Sequence, residues 1–196
     1  MKAKYLILLG VVALFFFYGV SVNNNLVDKQ ENVNSAWAQV ENQYQRRADL
    51  VPNLVNTVRG AADFEQETLT QVIEARSRAT SVNISTEDLD DPQKFQQFQE
   101  AQSQLSGALS RLLVTVERYP ELKANANFRD LQAQLEGTEN RISTERMRFN
   151  QAAQDYNTNV RRFPASMIAS ITGFDQKEYF QADQGAEQAP EVDFNN

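Results

Sequence analysis

The sequence predicts an all-α protein: an N-terminal transmembrane helix followed by an antiparallel, up-and-down helical bundle with long, coiled-coil-like helices. Three observations predict it. Residues 5–22, YLILLGVVALFFFYGVSV, carry no charge. Beyond them, large apolar residues recur at three-, four- and seven-residue steps, the period of an amphipathic helix. The polar positions between are filled mainly by Gln, Glu, Arg and Asn. The chain divides accordingly into a cytoplasmic N-terminus (1–4), an anchor (5–22), a bundle domain (26–174) and an acidic tail (175–196) predicted to be largely disordered.

As a helix, residues 5–22 would be about 27 Å long, close to a hydrocarbon core of about 30 Å. A secretion-signal core is shorter, about 7–15 residues. Gly19 and Ser21 stand where cleavage after Ser21 would require small residues, which keeps a cleaved signal as the rival reading. Phe15-Phe16-Phe17-Tyr18 holds the apolar run up to that site, where a cleaved signal turns polar, and this favours the anchor. Lys2 and Lys4 precede the run, and Lys29 alone follows it before Arg46. The positive-inside bias then leaves the short end in the cytoplasm and the bulk of the chain on the periplasmic, extracytoplasmic side of the inner membrane, as a single-pass protein.

The first bundle stripe is Val33, Trp37, Val40, Tyr44, Val51, Val55, Val58 and Ala62. It keeps phase across Pro52, which favours one kinked helix; a fresh helix from near Asp49, with Pro52 in its first turn, is the alternative. Gly60 and Asp63 offer a stop and a new N-cap before a stripe of Leu69, Val72, Ile73 and Arg76. Residues 81–92, SVNISTEDLDDP, read as a solvated acidic loop that caps the next helix. They lack the Asp-x-Asp-x-Asp-Gly frame of a calcium loop. Asn83-Ile84-Ser85 matches a glycosylation acceptor, which matters only in a eukaryotic secretory setting.

The next two helices carry the sharpest pattern. Phe98, Leu105, Leu112 and Tyr119 repeat every seven residues, beside Phe95, Leu109 and Val116 with Gln102 as the polar member. After the turn Tyr119-Pro120-Glu121-Leu122, Phe128, Leu135, Ile142, Phe149, Tyr156 and Phe163 continue in heptad step. So short a turn predicts antiparallel neighbours. Pro164 and Gly173 then bracket a small helix over 165–172, whose Met167 and Ile168, with Ile171 and Phe174, should close the end of the bundle.

Composition excludes several chemistries. Asp and Glu number 26 against 19 Lys and Arg, a net charge of −7, which argues against a general nucleic-acid partner. With no cysteine there is no disulfide, thiolate metal site, Cys nucleophile or lipobox anchor. With no histidine there is no imidazole base, and the Glu-x-x-His ligand pairs of a di-iron bundle cannot form. No cofactor and no metal are expected.

The block Tyr119-Pro-Glu-Leu-Lys-Ala-Asn-Ala-Asn-Phe128, followed by Leu135-Glu-Gly-Thr-Glu-Asn-Arg-Ile142, Phe149-Asn150, Tyr156-Asn157 and Phe163-Pro164, closely resembles the LemA family of bacteria. So do Arg46-Arg47-Ala48-Asp49-Leu50-Val51-Pro52-Asn53-Leu54-Val55 upstream, and Tyr179-Phe180-Gln-Ala with Pro190-Glu-Val-Asp-Phe194 at the end. The resemblance covers nearly the whole chain. It implies a membrane anchor followed by an antiparallel bundle, and no enzyme class. At the position of Phe149 the family often has tyrosine, a conservative departure.

The remaining candidates are polar residues on the long helices. Arg46, Arg47 and Asp49 lie beside Pro52, and Thr138, Glu139, Asn140, Arg141, Glu145, Asn150 and Asn157 lie on the last long helix. Thr138 falls midway between Leu135 and Ile142 and should face inward, where its hydroxyl needs a partner. Together they read as a structural polar network that fixes helix register and could serve as an interaction site. The function expected is a membrane-anchored, non-enzymatic scaffold or adaptor for protein partners, a second copy of the chain included. The alternatives are a carboxylate-based hydrolase of envelope glycan, using acids such as Glu139 and Glu145, and a sensor binding a small ligand between helices.

Overall fold

The computed structural model describes residues 2–60 and 64–181. Among them are six α-helices: α1 (Lys2–Arg59), α2 (Gln66–Ser81), α3 (Pro92–Val116), α4 (Pro120–Ala124), α5 (Ala126–Arg161) and α6 (Ala165–Thr172). A 3-10 helix (Thr86–Asp90) interrupts the loop between α2 and α3. The protein is an all-α bundle with one long apolar N-terminal helix.

α1 runs 58 residues without a break, from the apolar segment into the bundle and through Pro52. One face from Leu26 onward is buried: Val33, Trp37, Val40, Tyr44, Arg47, Val51, Leu54 and Val58 alternate in steps of three and four. The apolar run ahead of it is bare, with Leu6, Leu14, Phe15 and Phe17 exposed. That run is long and apolar enough to cross a membrane.

α2 returns alongside α1. Its buried face is Leu69, Val72, Ala75 and Ala79, whereas Ile73 is exposed. The expected stripe was therefore right in its first two members and displaced after them, because small alanines let α2 lie close to α3. Asp63, expected as the N-cap, lies outside the described residues, and Glu65 holds the cap position.

The 81–92 loop caps as its composition suggests. Asp91 Oδ1 accepts from the backbone N–H groups of Gln93 (2.9 Å) and Lys94 (3.1 Å) at the start of α3. Ser85 and Asp88 form a capping box on the 3-10 helix, and Asp88 also pairs with Lys94. These bonds to the charged form hold the Asp88 carboxyl down at about 2, with Lys94 the largest cause and Ser85 next.

α3 and α5 run antiparallel, as the short connection requires: Phe95 meets Phe149, and Ser106 meets Glu139. Yet they are not each other's nearest helices. α5 lies closest to α1 and α3 to α2, so α3 and α5 meet through side chains rather than by close backbone approach. Gly173 ends α6 in the left-handed region (φ 77°), its N–H bonded to Ala169 O at 2.9 Å.

The apolar interior is two clusters. The membrane-distal one gathers Val51, Leu54, Val58, Leu69, Val72, Leu105, Leu112, Phe128 and Leu135. The proximal one gathers Leu26, Val33, Trp37, Tyr44, Phe95, Phe98, Ile142, Phe149, Tyr156 and Phe180. Of the heptad on α5, five members are buried and the sixth, Phe163, is 76% exposed. The helix has ended at Arg161, so heptad phase no longer dictates where residue 163 points.

Residues 175–181, expected to be disordered, are instead laid along the bundle, with Lys177 and Phe180 buried. Burial of one aromatic side chain contributes about 1.5–3 kcal/mol against about 1–2 kcal/mol for each residue ordered, so the strap also depends on its hydrogen bonds. The rest of the acidic tail, 182–196, lies outside the described residues.

Candidate functional site

The two apolar clusters are separated by a polar layer built on Arg47. Its position follows from the stripe: Tyr44 below and Val51 above face the two clusters, and Arg47 sits one turn from each. Gln102 interrupts α3 in the same way between Phe98 and Leu105, and Thr138-Glu139 interrupt α5 between Leu135 and Ile142.

Arg47 is 1% exposed. Its Nη1 donates to Ser106 Oγ (2.6 Å) and Glu139 Oε2 (2.9 Å). Its Nη2 donates to Gln102 Oε1 (2.7 Å) and to the Gln102 carbonyl (3.2 Å). Gln102 Nε2 passes the chain on to Ala79 O in α2 at 3.1 Å. Ser106 Oγ also donates to Glu139 Oε1 (3.3 Å), and the guanidinium lies 5.1 Å from the Tyr44 ring centre. One side chain therefore ties α1 to α3 and α5, and through Gln102 to α2. Glu139 stays half exposed, so the pair is wet on one side. Arg47 Nε–H has no acceptor among the described residues.

Tyr44, Arg47, Gln102, Ser106, Glu139 and Arg146 are among the walls of a cavity of about 80 Å³. That is room for a few waters, not for a sugar ring. Both Glu139 oxygens are engaged by Arg47 and Ser106, while Glu145 Oε1 accepts from Arg148 at 2.8 Å.

A second polar device holds the chain end. Asn157 Nδ2 donates to Lys177 O and its Oδ1 accepts from Lys177 N, both at 2.8 Å. Asn150 does the same to Phe180, with both bonds 2.9 Å. Seven residues of helix rise about 10.5 Å, and three residues of extended chain span about 10 Å. Two asparagines a heptad apart on α5 thus match two backbone units three apart on the strap, which runs antiparallel to the helix.

Further contacts fix the strap's other edge. Glu178 N donates to Leu89 O (2.9 Å), and Lys177 Nζ pairs with Asp90 Oδ2 (3.1 Å). Arg146 Nη2 donates to Gln181 O (2.9 Å), and its guanidinium lies 4.8 Å from the Phe180 ring centre. Phe180 itself closes the aromatic cluster, 6.0 Å from Trp37, 5.0 Å from Phe95 and 5.5 Å from Phe149. Beneath it, burial pushes the Tyr156 phenol up to about 12, helped by the negative charges of Asp175 and Asp90.

The expected single network is therefore two separate ones. Arg47 and Glu139 belong to the central layer, and Asn150 and Asn157 to the strap clamp. Thr138 is buried but donates back to Gln134 O in its own helix at 2.7 Å. Arg46, Asn140 and Arg141 are exposed, and Asp49 is exposed and accepts from Gln45 one turn earlier (2.9 Å). Gln102 and Ser106 were not among the expected members, although Gln102 was already visible as the polar residue in an apolar seam. The strap had a signal too. The repeated aromatic-Asn pairs Phe149-Asn150 and Tyr156-Asn157 place an amide beside each core ring, and Phe180 is a large apolar residue in an otherwise acidic tail.

Comparison with known proteins places this architecture. Over 74 residues the chain is 39% identical to Magnetosome protein MamQ 2 of Paramagnetospirillum magneticum, covering 38% of this chain and 27% of that protein. Magnetosome protein MamQ of Magnetospirillum gryphiswaldense is 37% identical over 73 residues, again 27% of its length. The matched region is thus about a quarter of these relatives. Protein LemA of Metamycoplasma hominis is 22% identical over 173 residues, 88% of this chain and 75% of that one. The LemA family profile matches residues 36–194, a range that takes in the Arg47 layer and the asparagine clamp, and the chain belongs to the LemA family.

Proposed function

We propose that the protein is a non-enzymatic, membrane-anchored platform that holds protein partners on the extracytoplasmic side of the inner membrane. The observation that carries this reading is the unbroken course of α1. A helix of 58 residues is about 87 Å long at 1.5 Å per residue, so span and bundle share one rigid axis with no linker between them. Such a rod holds its side surface at a fixed height and rotation above the bilayer, which suits helix-on-helix association. Lys2 and Lys4 ahead of the span support the extracytoplasmic orientation. The partial likeness to relatives named as magnetosome proteins is in keeping with a role in a bacterial structure.

The hydrolase and sensor readings have less support. Glu139 is committed to Arg47 and Ser106, and the cavity beside it is water-sized. Crosslinking in intact cells, followed by detergent extraction and affinity capture of the full chain, should recover defined protein partners. Recovery of a partnerless monomer would sink the platform reading. Protease digestion of sealed vesicles of known orientation tests the topology: the bundle should be cut only from the extracytoplasmic face.

A further inference from the structure

α6 stands at the membrane end of the bundle, against the last turn of the apolar run. The position that a β-carbon on Gly19 would take lies 3.7 Å from Ile168 Cδ1, ordinary van der Waals contact, so α6 rests against α1 at that level. On the same face of α1, Val22 and Leu26 pack into the proximal cluster together with Ala169. Gly19 lies three residues inside the end of the apolar run, about 4.5 Å along the helix axis.

The other side of α6 is apolar and bare. Met167 and Ile171, four residues apart on one helix face, are 58% and 80% exposed, and Phe163 just ahead of the helix is 76% exposed. No charged residue occurs from Phe163 to Phe174, and the exposed pair Arg161-Arg162 precedes the segment. An apolar face flanked by arginines, at the depth of the span's own end, matches a helix lying in a bilayer interface about 5–10 Å deep.

We infer that Phe163, Met167 and Ile171 insert into the interfacial layer of the bilayer that α1 crosses, making α6 a lipid-contacting foot with Arg161 and Arg162 at the headgroups. The occupant of the bare face is lipid because α6 rests on Gly19, inside the apolar run, and the neighbours of Gly19 in the chain, Tyr18 and Val20, are themselves exposed. The foot gives the bundle a second membrane contact beside the span, which sets its tilt. This rests on the anchored platform reading above.

The chain has no cysteine, so single nitroxide labels can be placed without background. Full-length variants Met167→Cys, Ile171→Cys, Phe16→Cys and Met147→Cys would be reconstituted in phosphatidylethanolamine–phosphatidylglycerol vesicles. Accessibility to oxygen, which partitions into lipid, is compared with accessibility to an aqueous nickel chelate. Met147 is exposed in mid-bundle and reports water; Phe16 reports the span. Labels at 167 and 171 should give oxygen-to-nickel ratios several-fold above that at 147 and approaching that at 16. Water-like ratios at 167 and 171 with a lipid-like ratio at 16 overturn the foot while leaving the anchor intact. A water-like ratio at 16 overturns both. Labels at 167 screened from both reagents and broadened by a neighbouring label would put a second copy on this face and also overturn the proposal.

Discussion

Arg76 Nε donates to the carbonyl oxygen of Ala48 at 2.8 Å, and Ala48 is the residue four before Pro52. Proline has no N–H to offer that carbonyl, so the helix α1 carries one acceptor without an intrahelical donor. An arginine from α2 supplies the missing bond from outside. This is why the helix passes through Pro52 with its buried face in register, and it also pins α2 against α1.

Replacing Arg76 by Met should therefore cost about 1–2 kcal/mol, the penalty of an unpaired, partly buried carbonyl. In a Pro52→Ala background the backbone N–H of residue 52 can serve Ala48, and the same replacement should cost about 1 kcal/mol less. Urea midpoints of the four proteins in one detergent measure the coupling. Additive costs would show that Arg76 does not act through the proline gap.

At the central layer, Glu139→Ala should destabilise by about 2 kcal/mol, because it strands the buried charge of Arg47. The half-exposed state of Glu139 keeps the figure below the full cost of breaking a buried pair. Glu139→Gln, which retains an acceptor, should cost less than the alanine. Arg47→Met combined with Glu139→Ala should be more stable than the sum of the single changes, since no uncompensated charge remains. Circular dichroism melts of the set check this order.

For the strap, Asn157→Leu removes the two bonds to Lys177 and the donor to Tyr179 Oη, and should cost about 1–3 kcal/mol. Release of the strap uncovers Trp37, the only tryptophan in the chain. Its emission should move to the red, and a cut between residues 175 and 181 should appear in limited proteolysis. Unchanged emission in a folded Asn150→Leu/Asn157→Leu protein would show that the clamp does not hold the strap.

Two groups give the protein opposite pH limits. Asp88 titrates at about 2 in the fold against an ordinary 3.8, so its contribution is full above pH 3.8 and is lost as pH falls towards 2. Tyr156 is raised to about 12 from 10.0, so its contribution is full below pH 10 and is lost as pH rises towards 12. Asp88→Asn should flatten the acid limb of the melting-temperature profile, and Tyr156→Phe the alkaline limb. In ultraviolet titration Tyr156 should be among the last tyrosines to ionise.

Much of the fold was legible where one helix's own periodicity decides burial. Phe128 to Tyr156 on α5 and Val33 to Val58 on α1 are core because each repeats in phase with its helix. Phe163 broke the pattern once its helix ended, and Ile73 lost its place to alanines chosen by the neighbouring helix. Both outcomes depend on a partner surface that a single stripe does not encode. The same holds for the polar residues. Asn140 and Arg141 adjoin Glu139 in sequence, but only Glu139 has an arginine from α1 across from it. The strap was misjudged on average charge, because its order comes from individual contacts: two amides, one phenylalanine and the Lys177–Asp90 pair.

The aromatic cluster nearest the membrane is assembled from opposite ends of the polypeptide. Trp37 leaves the ribosome early and Phe180 late, and they stack at 6.0 Å. During synthesis the membrane-side core therefore waits, open on one face, while the distal cluster already has all of its members by Leu135. Chains interrupted before residue 180 carry an uncovered indole and a vacant asparagine pair. The fold thus registers whether translation has passed residue 180, and copies that stop short of it present an apolar surface by which they can be told from those that do not.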